Sequence, residues 1–137
     1  MTCERYLVQA QSNENAARSN ENTYPDWTVT MCFYAALHWV EYYASQKGDD
    51  IRTQFPEKSP HDSRRGYVRK LAKKLDTREL EKLYNDLESA SQKARYLEGK
   101  GMEYTSAIDF FKSHQLEVNK SFEKLQHIKD ILQNKLK

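Results

Sequence analysis

The sequence predicts an all-α protein, an up-and-down bundle of four to five helices, and three observations carry that prediction. Only four glycines and three prolines occur in 137 residues, too few breaks for the frequent turns of a β-sandwich or barrel. Apolar residues recur at three- and four-residue steps over long stretches. The chain also has the length of one domain, 1–137, and its 38% hydrophobic residues are clustered enough for one core. A mean hydropathy of −0.96 calls for a strongly polar surface around it.

The first element, roughly Cys3 to Ser19, carries Tyr6, Leu7, Ala10 and Ala17 on a modest apolar face. The polar run SNENTYPD closes it. Pro25 suits the first turn of a new helix, and Asp26 favours its N-terminal dipole. This second helix, roughly Pro25 to Gln46, has two faces. Val29, Phe33, Ala36, Leu37, Val40 and Ala44 define a core side, while Trp27, Met31, Tyr34, His38, Glu41 and Tyr42 lie on another. A helix of that kind needs cover on both sides, either by a central position or by a homodimer seam. Lys47-Gly48 ends it.

Residues Asp49 to Ser63, with Pro56 and Pro60, read as a loop. A helix is then expected from about Arg64, with Tyr67, Val68, Leu71, Ala72 and Leu75 on one side and Arg65, Arg69, Lys70, Lys73 and Lys74 mostly on the other. Asp76-Thr77 marks a break, after which Leu80, Leu83, Leu87, Ala90, Ala94 and Leu97 restart the stripe until Gly99 and Gly101 interrupt it. The last segment, 103–135, places Ile108, Phe111, Val118, Phe122, Leu125, Ile128 and Leu132 near one face. A single helix of that length would reach about 50 Å, so a kink near Ser113-His114 or a projecting end is expected.

Cys3 and Cys32 are too few for a disulfide scaffold and have no metal-ligand spacing, which predicts free thiols in a reducing compartment. The N-terminus lacks a secretory apolar core, and the longest uncharged stretch, Trp27 to Val40, is too short for a membrane span. A cytoplasmic protein beginning close to Met1 is the expectation. The net charge of +2 is unevenly spread: the balance is −4 over residues 1–57, +5 over 58–82 and +1 over 83–137. An anionic partner would meet the middle segment, although a basic run is also what a solvated helix face looks like.

There is no Gly-rich phosphate loop, no H-E-x-x-H and no nucleophile elbow. His38, His61, His114 and His127 lack metal-ligand spacing, so neither a metal nor a cofactor is implied. The chemistry-bearing segment is SPHDSRRGYVRKLAKK. An imidazole at His61 can exchange a proton near neutral pH, and Arg64 and Arg65 can hold a phosphate by paired hydrogen bonds. Together these catalytic candidates suit metal-free RNA cleavage. Tyr67, Arg69 and Lys70 follow as binding candidates. The plainer alternative has His61 helping to cap the next helix while the arginines are only solvated. Tyr34 and His38 are further candidates, since Tyr34, His38 and Glu41 share a face and could orient the imidazole. Otherwise His38 is a core or interface histidine satisfied by tyrosine or glutamate.

The string PDWTVTMCFYAALHWVEYYASQKG, then HDSRRGYVRKL, then LEKLYNDLESASQKARYLEG resembles the HEPN superfamily (higher eukaryotes and prokaryotes nucleotide-binding), in particular its small stand-alone prokaryotic members. The resemblance covers roughly residues 25–99. It implies a helical bundle, commonly a homodimer here formed through helix 25–46, with the active cleft at the seam. Many members are metal-independent endoribonucleases in toxin–antitoxin, phage-defence or RNA-processing roles. Others bind only nucleotide or protein, at times beside an antitoxin-like nucleotidyltransferase. The family's motif is an arginine, a polar residue and a histidine four to six residues beyond the arginine. No arginine here stands so: Arg52 to His61 is longer, and His61 precedes Arg64 and Arg65.

Overall fold

A computed structural model describes residues 2–99 and 101–137, with no side-chain account of Thr2 and Cys3. Met1, the Cys3 thiol and Lys100 thus lie outside the described residues. Those described form seven helices and no strand: α1 (Thr2–Ser19), α2 (Pro25–Gln46), α3 (Ile51–Gln54), α4 (Pro60–Lys74), α5 (Arg78–Tyr96), α6 (Ala107–Ser113) and α7 (Gln115–Leu136). The all-α prediction holds.

Helix α2 is the axis of the molecule. It starts with Pro25 at its first position and buries thirteen residues, among them Val29, Phe33, Trp39, Val40 and Tyr43. Its main neighbours are α1, α5 and α7, with smaller contacts to α6 and α4. The two-sided cover foreseen for it therefore comes mostly from its own chain. Helix α1 contributes Ala10 and Ala17, both fully buried, which let its backbone come close to α2. Thr28 fixes that approach, its hydroxyl donating to the Ala17 carbonyl at 2.7 Å in a buried position. A main core of Phe33, Leu37, Tyr84, Leu87, Leu125, Ile128 and their neighbours lies around α2. A smaller one joins Val29 to Met102, Ala107, Phe110, Phe111 and Val118.

Two boundaries differ from the sequence expectation. The segment 49–63 is not one loop, because α3 occupies part of it and α4 begins at Pro60. Ser59 is the reason: its hydroxyl accepts from Asp62 N at 3.1 Å, and Pro60 takes the first helical position, where a missing N–H costs nothing. Gly66 then lets α3 close on α4, since a Cβ there would stand 2.9 Å from the Phe55 ring. The last segment is two helices, divided at His114, whose Nδ1 lies 2.8 Å from the Phe110 carbonyl and whose ring stacks on Phe110 at 4.1 Å. That divide takes the place of the expected kink. Beyond it α7 buries Val118, Leu125, Ile128 and Leu132 and does not project.

Leu97 is also corrected: expected on the core stripe, it is 53% exposed and ends α5 in the left-handed region at φ 56°. Among the described residues no helix is long and apolar enough to cross a membrane. Cys32 is a free, buried thiol, and burial pushes its pKa up to about 12.

Candidate functional site

The first turns of α4 face two helices at once. His61, Arg64 and Arg65 stand three and four residues apart, so they share one helix face. His61 is half-buried in the first turn of α4, not in a loop. Its ring lies against α2, with centroids 6.0 Å from Phe33 and 6.4 Å from Tyr34. The Nδ1 atom is enclosed and has no hydrogen-bond partner, so His61 does not cap the helix; Ser59 does that.

The two arginines diverge from there. Arg64 turns to α2 and gives its Nε–H to Glu41 at 2.7 Å. Arg65 turns to α5, where Nη1 donates to Glu88 at 2.8 Å and Nη2 to Asp62. Glu88 is 6% exposed, so Arg65 is what makes its burial tolerable. Both cations expected to hold phosphate are therefore already matched by carboxylates.

A third guanidinium, Arg95 near the end of α5, completes the group, and the sequence reading did not single it out. Its Nη1 donates to the Tyr34 hydroxyl at 3.0 Å and to the Tyr96 hydroxyl at 3.1 Å, and its Nη2 to Ser91 Oγ at 3.1 Å. Its carbon sits 5.4 Å from the Tyr34 ring centroid and 4.8 Å from that of Tyr96. These partners are all neutral. The available sequence signal was an arginine beside a tyrosine at a helix end, before the breaks at Gly99 and Gly101.

The electrostatics follow from this arrangement. Burial holds the His61 imidazole below its ordinary value of 6.5; the charges of Arg64, Arg95 and Arg65 act in the same sense, and Glu88 opposes them. At neutral pH the ring is uncharged. With Nδ1 enclosed, Nε2 is the nitrogen left to exchange a proton.

The remaining candidates lie elsewhere. His38 points between α1 and α2, its Nδ1 2.8 Å from the Tyr34 carbonyl and 3.2 Å from Asn13 Nδ2. Of the two readings for His38, the Tyr34–His38–Glu41 side-chain network does not form, because the Tyr34 hydroxyl goes to Arg95 and Glu41 to Arg64. Desolvation lowers the His38 pKa as well. Tyr67 is buried and donates to Asp49 Oδ2 at 2.7 Å, tying α4 to the end of α2; burial and that carboxylate push its pKa up. Arg69 pairs with Glu81 at 3.1 Å, and Lys70 reaches over the Phe55 ring at 5.8 Å. Tyr67 and Lys70 thus face Phe55 on another side of α4, while Arg69 continues the Arg65 row toward α5.

A cavity of about 580 Å³ adjoins the Arg64 side, lined by Arg5, Tyr6, Glu41, Arg52 and Arg64 among others. Among the described residues no three His, Cys, Asp or Glu side chains converge as a metal site. Comparison with family models, curated proteins and solved structures found no match.

Proposed function

We propose that the chain is a HEPN-like RNA-binding protein that cleaves RNA without a metal at His61, as a toxin or defence ribonuclease would. The observation that carries this is His61 itself, an unbonded imidazole kept neutral among three guanidinium groups. A neutral ring can take the proton from a ribose 2′-hydroxyl, and Arg95, whose partners are all neutral, favours the phosphate that the resulting oxygen attacks. In that step the new bond is 2′-oxygen to phosphorus, and the bond broken is phosphorus to the 5′-oxygen. The 5′-oxygen leaves with a proton from solvent, and a 2′,3′-cyclic phosphate remains.

The test is incubation of end-labelled single-stranded RNA with the protein in EDTA. Cleavage to cyclic-phosphate ends is expected, and His61→Ala should reduce it by about a hundredfold or more at unchanged melting temperature. Undiminished cleavage in that variant overturns the assignment.

A second reading, a non-catalytic nucleotide- or protein-binding module, is favoured by one fact: the Glu41 and Glu88 pairs hold Arg64 and Arg65 away from a substrate. RNA retained but never cut would support it. Under either reading, a homodimer through helix 25–46 would have to use what α2 leaves uncovered, chiefly Trp27 at 52% exposure with Met31 and Tyr34 on the same face. Sedimentation of Trp27→Ala against the unmodified chain checks it.

A further inference from the structure

We propose that Arg95, framed by Tyr34 and Tyr96, is the phosphate-holding residue of the His61 site and makes that site select single-stranded RNA; this rests on the RNA reading above. The argument begins with charge. Near His61, Arg64 is matched by Glu41, and Arg65 by Glu88 and Asp62. Turning Arg65 toward a phosphate would leave the buried Glu88 carboxylate without its partner, which is strongly unfavourable.

Arg95 has no such commitment. Its partners are two phenol oxygens and one serine oxygen, so its full positive charge is available to an anion. Those same bonds hold the planar fork in place, so little side-chain freedom is lost on binding. Of its five N–H donors, the three bonds leave one on Nη2 uncommitted, while Nε is enclosed and without a partner. Tyr34 joins Arg95 to His61: its hydroxyl accepts from Arg95 at 3.0 Å and its ring centroid lies 6.4 Å from that of His61, which also feels the Arg95 charge.

The choice of single strands follows from the aromatic frame. Tyr96 is 58% exposed at the last residue of α5, and the chain leaves the helix direction immediately after it at Leu97. The Arg95 guanidinium lies over the Tyr96 ring, so the phosphate and stacking positions are neighbours. An unpaired base offers a free face to such a ring. A base inside a duplex has both faces covered by its own neighbours, so stacking on tyrosine favours single strands.

The experiment is fluorescence anisotropy in EDTA with a 5′-labelled 12-nucleotide RNA, single-stranded or as a blunt duplex, at several salt concentrations. His61→Ala serves as the background so that no probe is cut. Arg95→Ala is expected to weaken single-strand binding by about tenfold or more and to reduce the salt slope by about 0.7, one phosphate contact on a single strand. Tyr96→Ala should weaken it by about fivefold or more, whereas Tyr96→Phe, which keeps the ring but loses the hydroxyl that accepts from Arg95, should weaken it less. Duplex binding should be weaker than single-strand binding and should not respond to Tyr96→Ala. Arg95→Lys keeps the charge without the fork and should retain the salt slope while losing affinity, a result that general unfolding does not produce. If the background protein binds RNA and Arg95→Ala binds equally well, the Arg95 assignment is wrong and the RNA reading stands. If neither the background nor the unmodified chain binds either probe, the RNA reading falls and this inference with it.

Discussion

Glu88 is 6% exposed, and its carboxylate draws a proton toward His61 against Arg64, Arg95 and Arg65. Its replacement therefore has a determined sign. Glu88→Gln removes the attraction and leaves the three cations, so the His61 pKa falls farther below 6.5. If His61 must be neutral to accept a proton, cleavage rises with pH through that pKa and is level from pH 7 upward. The half-rise should lie below pH 6.5 in the unmodified protein and lower still in Glu88→Gln. Rates between pH 4.5 and 8, with the His61 ring proton followed by NMR, check both. An upward move in the variant would contradict the arrangement. The same change should cost about 1–3 kcal/mol in urea unfolding, because the Arg65 bond to a charged acceptor becomes a bond to a neutral one.

Helix ends show which parts of the fold were legible in the sequence. Pro25, Lys47-Gly48 and Asp76-Thr77 are local signals, and the helices begin or end beside them. The start of α4 is local as well, but Ser59-Pro60 lies among residues whose polarity suggests a loop, and the cap becomes decisive only through the Ser59–Asp62 bond. The site divides in the same way. His61 beside two arginines is visible in the string, whereas Arg95 gains its role from Tyr34, 61 residues away, and Arg65 is engaged by Glu88, 23 residues away. Spacing along one helix cannot report such pairings. Leu97 is the clearest case: its stripe position predicts burial, yet it caps α5 in a conformation that glycine adopts without strain. Leu97→Gly should accordingly raise stability by about 0.5–1 kcal/mol, since a side chain already 53% exposed gives up little burial. Thermal denaturation measures it, and a clear loss of stability would show that the exposed leucine is packing after all. The buried Thr28 hydroxyl gives the opposite sign: Thr28→Val should cost about 1–3 kcal/mol by leaving the Ala17 carbonyl unpaired and loosening α1 from α2.

Over the whole molecule these groups combine into a pH dependence of folding. His38 and His61 both have folded-state values below 6.5, chiefly because burial disfavours the charged ring. Below pH 6.5 the unfolded chain takes up protons that the folded chain refuses, so stability falls as pH drops through the folded values. The slope per histidine is bounded by about 1.4 kcal/mol per pH unit and is reduced by water reaching these half-buried rings. Glu14, Asp49 and Asp86 act with the same sign at lower pH. Ion pairs with Lys129 and Arg18 hold Glu14 down against its desolvation, the Tyr67 hydroxyl holds down Asp49, and Lys82 and Lys124 hold down Asp86. Their stabilisation is complete above the ordinary carboxylate values of 3.8 to 4.5 and is lost as pH falls through the depressed ones. The urea midpoint should therefore be level from pH 8 to 7, decline gently toward pH 5, and drop steeply below about pH 4. Replacing both rings, His38→Gln with His61→Gln, should remove the gentle decline and leave the steep one. A midpoint that rises between pH 7 and 5 would mean that these imidazoles gain a carboxylate partner on folding. Their surroundings, a backbone carbonyl and the Asn13 amide for His38 and an unpartnered Nδ1 for His61, offer them none.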